Sequence, residues 1–270
     1  MIVYESTLIL TTMLSLILPL IFQKLHLVKN IDEEISIPYS GGSVIFLGIS
    51  VSYCLLYFQR EVSLFKFLFY IISLFVIYFI GIFDDLYGHH TAPKEKKRLR
   101  SLLKRLLSTG FINYTAILII SSYIFFFFNE EYWIFKGILT TSISILFSLI
   151  DNKPGRSIRA YFLFYILAAF SSLRWTRELY NIMVLVLAPY YCFDNWHYSA
   201  LGKSGSNLIG FGVGFILSEM FSTNLLVISV MSLSVPLFYA VNKRHVLIEA
   251  IIKSPFLDYL HRVAAQRQEN

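Results

Sequence analysis

The sequence predicts an all-α, polytopic membrane protein: a bundle of about nine transmembrane helices, with the N-terminus outside and the C-terminus in the cytoplasm. Of its 270 residues, 56% are hydrophobic and only 15% are charged, whereas a soluble domain carries about 25% charged residues. The mean hydropathy is +0.64. Apolar runs approaching the roughly 20 residues that cross a bilayer recur along the chain.

The apolar runs set the order of the elements. In chain order the candidate spans are 6–23, 42–58, 64–83, 111–128, 134–150, 160–173, 180–193, 208–222 and 223–240. With the N-terminus outside, most Lys and Arg residues fall on the inner side, as expected of cytoplasmic loops. These loops are 24–41, 84–110, 151–159 and 194–207. Residues 1–240 then form the transmembrane domain, and 241–270 form a cytoplasmic tail with amphipathic helical spacing.

The net charge of +6 does not indicate a nucleic-acid partner. In a chain of this composition, excess Lys and Arg report which loops face the cytoplasm. We therefore expect contact with membrane lipid and none with nucleic acid. The two cysteines, Cys54 and Cys192, lie in or beside apolar runs, which favours packed thiols over a disulfide framework.

Two adjacent carboxylates, Asp84 and Asp85, end the apolar run 64–83. A strongly basic segment follows them between residues 94 and 105. Carboxylate oxygens suit Mg²⁺ held beside substrate phosphates, and one carboxylate can take a proton from an attacking group. An acidic helix end exposed to water would need no function, so both interpretations stay open.

Three further polar segments are expected on the cytoplasmic side. Their candidate residues are Asn30, Gly41 and Gly42 in the first, Asp151, Lys153 and Arg156 in the second, and Lys203, Ser204 and Asn207 in the third. Glycines permit close backbone approach, cations can clamp a diphosphate, and a Gly/Ser turn that opens a helix offers N–H groups to an anion. Helix packing, a basic topological loop and an ordinary helix cap are the plainer interpretations.

Taken in order, these segments resemble the polyprenyl-phosphate hexosamine-1-phosphate transferase family, relatives of phospho-N-acetylmuramoyl-pentapeptide transferase. The resemblance covers nearly the whole chain. Its motifs are Asp-Asp-x-x-Gly at 84–88, a basic loop, a Leu-Leu-Asp-Leu-Arg-Pro-Gly-Arg-Ala-like segment at 149–157 and a Gly-Asp-x-Gly-like segment at 202–205. It implies an enzyme of cell-envelope glycan synthesis, in which a polyprenyl phosphate attacks the β-phosphate of a UDP-amino sugar. UMP leaves, and Mg²⁺ bridges the phosphates.

The same resemblance implies roles for the candidate residues. The catalytic residues and metal ligands would be Asp84, Asp85 and Asp151. The substrate-binding residues would be Asn30, Gly41, Gly42, Lys153, Arg156, Lys203, Ser204 and Asn207. The implied partners are polyprenyl phosphate, a UDP-sugar and membrane lipid, with a homodimer left open. The implied location is the bacterial plasma membrane, with the site on the cytoplasmic face.

The chain departs from the family pattern at three positions. Lys203 stands where the family has a metal-binding aspartate, and Ser148 and Ile145 stand where it has asparagines. An ammonium in place of a carboxylate reverses the local charge and removes a metal ligand. One hypothesis is a divergent transferase in which Lys203 pairs with phosphate. The other is a catalytically inactive relative that binds a lipid phosphate as a partner or regulator. A transporter is less favoured, because the spans lack mid-membrane charges and inverted repeats.

Overall fold

The computed structural model describes residues 2–30, 36–59, 62–87, 109–128, 130–151, 154–169 and 177–220. These ranges contain eight α-helices and one short β-ribbon. The predicted last span at 223–240, the tail at 241–270 and most of the basic loop at 84–110 lie outside the described residues, so those predictions stay untested.

The helices follow the apolar runs of the sequence closely. They are α1 (Ile2–Lys24), α2 (Gly41–Phe58), α3 (Leu64–Tyr87), α4 (Thr109–Phe127), α5 (Trp133–Ile150), α6 (Arg156–Ala169), α7 (Arg177–Asn195) and α8 (Gly202–Met220). The prediction of a helical bundle is therefore confirmed over this part of the chain.

Four of the described helices are long and apolar enough to cross a membrane: Val3–Lys24, Gly41–Phe58, Leu64–Leu86 and Trp133–Ile150. A shorter apolar helix covers Tyr114–Phe127. Large apolar side chains project outward from these helices, including Ile9, Ile72 and Ile119, as expected of surfaces that face lipid. These are the properties of an integral membrane protein. The number nine and the N-outside orientation stay predictions.

A two-stranded antiparallel ribbon joins α1 to α2, an element that the all-α prediction did not include. Strand β1 (Val28–Asn30) pairs with β2 (Ser36–Pro38), with Val28 opposite Pro38. The Tyr39 N–H then donates to the Leu27 carbonyl at 3.1 Å. The ribbon returns the chain to the end of α1 and fixes where α2 begins.

Helix α8 lies at the centre of the bundle, where it packs against α2, α3, α5, α6 and α7. Its approach to α5 is closest at Gly210 and Gly214. A Cβ on Gly210 would lie 2.5 Å from the Cα of Ser144, and one on Gly214 would lie 2.6 Å from the Cα of Thr140. Small residues of this kind let membrane helices pack backbone to backbone.

Opposite ends of the bundle carry different polar groups. At the end where α5 begins, the fully buried Lys136 ammonium pairs with Glu130 at 2.8 Å and lies 5.6 Å from the centre of the Phe125 ring. The end where α3 finishes and α8 begins carries the candidate residues. The side of the membrane on which each end lies stays a prediction.

We expect Gly214→Ala to destabilise the bundle by about 1–3 kcal/mol, because the added methyl group meets the backbone of α5, which cannot yield without moving a helix. Gly212→Ala on the same helix is the matched control, since its methyl group meets only the flexible end of the Met183 side chain, at 2.5 Å from its sulfur. Thermal unfolding in detergent should show a lower midpoint for Gly214→Ala than for Gly212→Ala. Equal midpoints would contradict the close packing of α5 on α8.

Candidate functional site

The end of α3 is joined to the start of α8 through the Asp85 carboxylate. Asp85 Oδ1 accepts the Lys203 N–H at 2.7 Å, while Oδ2 accepts the Ser204 N–H at 3.0 Å and the Ser204 hydroxyl at 2.8 Å. The first N–H groups of a helix have no partner inside that helix, and a carboxylate there also meets the positive end of the helix dipole. Asp85 thus acts as the N-terminal cap of α8, supplied from another helix.

The neighbouring Asp84 has a different environment. Its Oδ2 forms an ion pair with the Lys203 ammonium at 2.8 Å, and the two side chains are 2% and 45% exposed respectively. Its Oδ1 is buried and has no hydrogen-bond partner among the residues that the structure describes. A buried carboxylate is costly unless it is paired, so Lys203 is the group that makes an ionised Asp84 acceptable here. The carboxylate of the pair is therefore buried, whereas the lysine side chain is partly open to solvent.

Glycines permit this close approach. Gly202 has a φ of 69°, and a Cβ there would lie 2.6 Å from Asp85 Oδ2. A Cβ on Gly81 would lie 2.4 Å from the Cα of Ser204, and one on Gly42 would lie 2.2 Å from the Ser204 hydroxyl oxygen. Any side chain at these positions would push α2 or α3 away from the start of α8.

The segment that opens α2 lies against the same turn. Its backbone exchanges two hydrogen bonds with Ala200: Ala200 N–H donates to the Pro38 carbonyl at 2.9 Å, and Gly41 N–H donates to the Ala200 carbonyl at 3.1 Å. The hydroxyl oxygens of Ser40 and Ser199 are 2.6 Å apart.

Burial, and then the nearby Asp85 carboxylate, raise the pKa of the Tyr39 hydroxyl to about 12. Tyr39 is therefore a neutral hydrogen-bonding group at physiological pH.

The turn between α5 and α6 is attached through Asp194, a residue that the sequence interpretation did not single out. Asp194 Oδ2 accepts the Gly155 N–H at 2.5 Å, and Oδ1 accepts the Leu201 N–H at 3.1 Å. One buried carboxylate therefore connects two polar turns. The position of Asp194 in the sequence could have identified it, because Asp194 ends an apolar run just as Asp84 and Asp85 do.

The predicted residues divide into three groups. Six lie together at the junction of α2, α3 and α8: Gly41, Gly42, Asp84, Asp85, Lys203 and Ser204. Asn207 is fully buried one turn further along α8, Asp151 is half-buried at the end of α5, and Arg156 is exposed at the first residue of α6. Lys153 and the side chain of Asn30 lie outside the described residues.

The donor set does not fit a divalent metal in this arrangement. Three of the four carboxylate oxygens of Asp84 and Asp85 already accept a hydrogen bond or form the ion pair. Among the described residues, no group of three or more His, Cys, Asp or Glu side chains is placed to hold a metal ion. The Lys203 ammonium would also repel a cation bound to Asp84, since two unit charges about 4 Å apart interact by about 4 kcal/mol at an effective dielectric of 20. The Mg²⁺ assignment stays a prediction from resemblance.

Two comparisons with known proteins give no further assignment. No protein-family model matches the chain, and no curated protein is significantly similar to it in sequence.

We expect Gly202→Ala to destabilise the protein more than Gly155→Ala. Both glycines have a positive φ, of 69° and 72°, so each alanine incurs a left-handed backbone cost of roughly 1–2 kcal/mol. Only the methyl group on residue 202 also displaces the Asp85 carboxylate from the cap. Thermal unfolding of the two variants measures the difference. Equal losses of stability in the two variants would show that the Asp85 cap does not require a glycine at position 202.

Proposed function

We propose that this protein is a membrane phosphoglycosyl transferase, which moves a sugar-1-phosphate from a UDP-sugar to a polyprenyl phosphate. The observation that carries the proposal is that several polar turns, distant in the sequence, lie together. Polar turns around residues 40, 85, 155 and 203 meet at one end of an apolar helical bundle. Such a position suits a reaction between a lipid phosphate in the membrane and a nucleotide in water.

In the proposed reaction, an oxygen of the polyprenyl phosphate attacks the β-phosphorus of the UDP-sugar. A new P–O bond forms, and the bond between the β-phosphorus and the bridging oxygen breaks. UMP leaves with that oxygen and its electron pair, and the product is a polyprenyl-diphospho-sugar. A proton on the attacking phosphate would pass to Oδ1 of Asp84. This oxygen has no hydrogen-bond partner within the described part of the chain, and a carboxylate oxygen can act as a base.

The charges around the junction support binding of anionic substrates. Lys203 is the partly exposed cation at its centre. The exposed Arg156 is the first residue of α6, next to Gly155, whose N–H donates to Asp194. The basic residues of the 84–110 loop would add to the local positive potential, which raises the local concentration of anions. We place the site on the cytoplasmic face of a bacterial plasma membrane, in cell-envelope glycan synthesis.

A second candidate is an inactive protein that binds a lipid phosphate as a partner or regulator. The observation in its favour is that the Asp85 oxygens are all used in capping α8, while Asp84 is held by Lys203. A site in which both carboxylates have structural partners can retain its shape without turning over a substrate.

Release of UMP by the purified protein tests the proposal. With polyprenyl phosphate present, we expect UMP from at least one UDP-sugar, and we expect Asp84→Asn to lower the rate by about 100-fold because it removes the base. Glu131→Gln is the matched control, since Glu131 is an exposed acid at the far end of the bundle, and it should keep the wild-type rate.

Two results would count against the transferase. UMP release that does not need polyprenyl phosphate would indicate hydrolysis. Tight binding of polyprenyl phosphate, with no UMP from any UDP-sugar in either Mg²⁺ or EDTA, would favour the inactive binding protein.

A further inference from the structure

The Lys203 side chain bridges the interior of the bundle and its aqueous edge. Its ammonium is 2.8 Å from the carboxylate of Asp84, which is 2% exposed, yet the Lys203 side chain itself is 45% exposed. An exposed ion pair holds a lysine loosely, but here one partner is fixed inside the bundle. An ammonium has three N–H donors, so Lys203 can keep Asp84 and still donate to a second anion from the water side.

Among the described residues, two buried polar groups at this end of the bundle have no hydrogen-bond partner. One is Oδ1 of Asp84, and the other is the amide of Asn207, whose nitrogen and oxygen both lack a hydrogen bond. On a helix, a residue four positions on lies about 40° round the axis, so Asn207 shares the face of α8 that carries Lys203. Its side chain also leans towards the start of the helix.

Unpartnered buried groups of this kind are uncommon and call for a ligand or water. The set consists of an ammonium, an amide that can donate, and a carboxylate oxygen that can accept a proton, and the ammonium and the amide belong to the same face of α8. A phosphate monoester matches that set, because it offers oxygen acceptors together with an O–H donor when it is singly protonated. A divalent cation matches it poorly, since the carboxylate of Asp84, which carries the unpartnered oxygen among the described atoms of the Asp84–Asp85 pair, is already paired through its other oxygen with an ammonium.

We infer that Lys203, fixed by Asp84, binds the phosphate of the lipid substrate directly, so that this binding step needs no divalent metal. The inference rests on the proposed function for the identity of the lipid. Asp84 acts here as a positioning residue that fixes the ammonium, and Asn207 contributes a second donor. Charge-assisted hydrogen bonds from an ammonium to a phosphate are strong enough to replace part of the attraction that a metal supplies elsewhere.

Binding of undecaprenyl phosphate to the full chain tests the inference without any turnover. We expect the dissociation constant, measured by native mass spectrometry in detergent, to be the same within about twofold in EDTA and in Mg²⁺. Lys203→Gln should weaken binding about tenfold or more, because one charge-assisted hydrogen bond is lost. Lys203→Arg keeps the charge and should stay close to wild type. Lys24→Gln is the matched control, since Lys24 is an exposed lysine at the same end of the bundle.

The outcomes separate this inference from the proposed function. Wild-type binding that is lost in EDTA and restored by Mg²⁺ would overturn the inference, even if UMP is released. Binding that is independent of metal and dependent on Lys203 would support it, even if no UMP appears. A parallel titration with inorganic phosphate separates the two possible sources of the headgroup. If inorganic phosphate binds and the lipid does not, the assignment to a lipid phosphate is wrong.

Discussion

The cap that Asp85 provides for α8 is the interaction on which the rest of this end of the molecule depends. Asp85 binds Lys203 and Ser204, which lie 118 and 119 positions further along the chain. These bonds satisfy N–H groups that have no partner within their own helix. Where water is excluded, each such group would cost several kcal/mol if left unpaired. The glycines at positions 42, 81 and 202 follow from the same constraint. A side chain at Gly42 or Gly81 would meet Ser204, and one at Gly202 would meet the Asp85 carboxylate.

Helix geometry then explains why the Asp84 and Asp85 side chains have different partners. Adjacent residues point about 100° apart on an α-helix, so when Asp85 faces the start of α8, Asp84 must face elsewhere. Asp84 contacts the Lys203 side chain through one oxygen, and its other oxygen has no hydrogen-bond partner in the described ranges. The carboxylate that caps α8 is thus distinct from the one that pairs with the Lys203 ammonium. Over the described residues, the junction combines a helix cap, a carboxylate oxygen without a hydrogen-bond partner and a partly exposed ammonium side chain.

Much of this could be predicted from the sequence, for identifiable reasons. Apolar runs predict membrane helices because a helix must be both long and hydrophobic to cross a bilayer. The eight described helices match eight of the nine candidate spans. Alternate loops share a side, so the segments at Gly42, Asp85 and Lys203 were expected to meet. The partners within the cluster could not be predicted. The cap by Asp85, the ion pair of Asp84 and the bridge by Asp194 depend on the rotation and depth of each helix, which a sequence pattern does not contain.

Disulfide formation between residues 40 and 199 measures most directly whether these distant turns meet. The two serine hydroxyls are 2.6 Å apart although 159 positions separate them, which places the side chains within the reach of a disulfide, whose Cβ atoms lie about 3.5–4.5 Å apart. In a chain with Cys54 and Cys192 replaced by alanine, Ser40→Cys with Ser199→Cys should crosslink almost completely under mild oxidation. Ser40→Cys with Ser218→Cys, which pairs opposite ends of the bundle, should not. Absence of the first crosslink, or equal crosslinking of both pairs, would contradict the convergence of the polar turns.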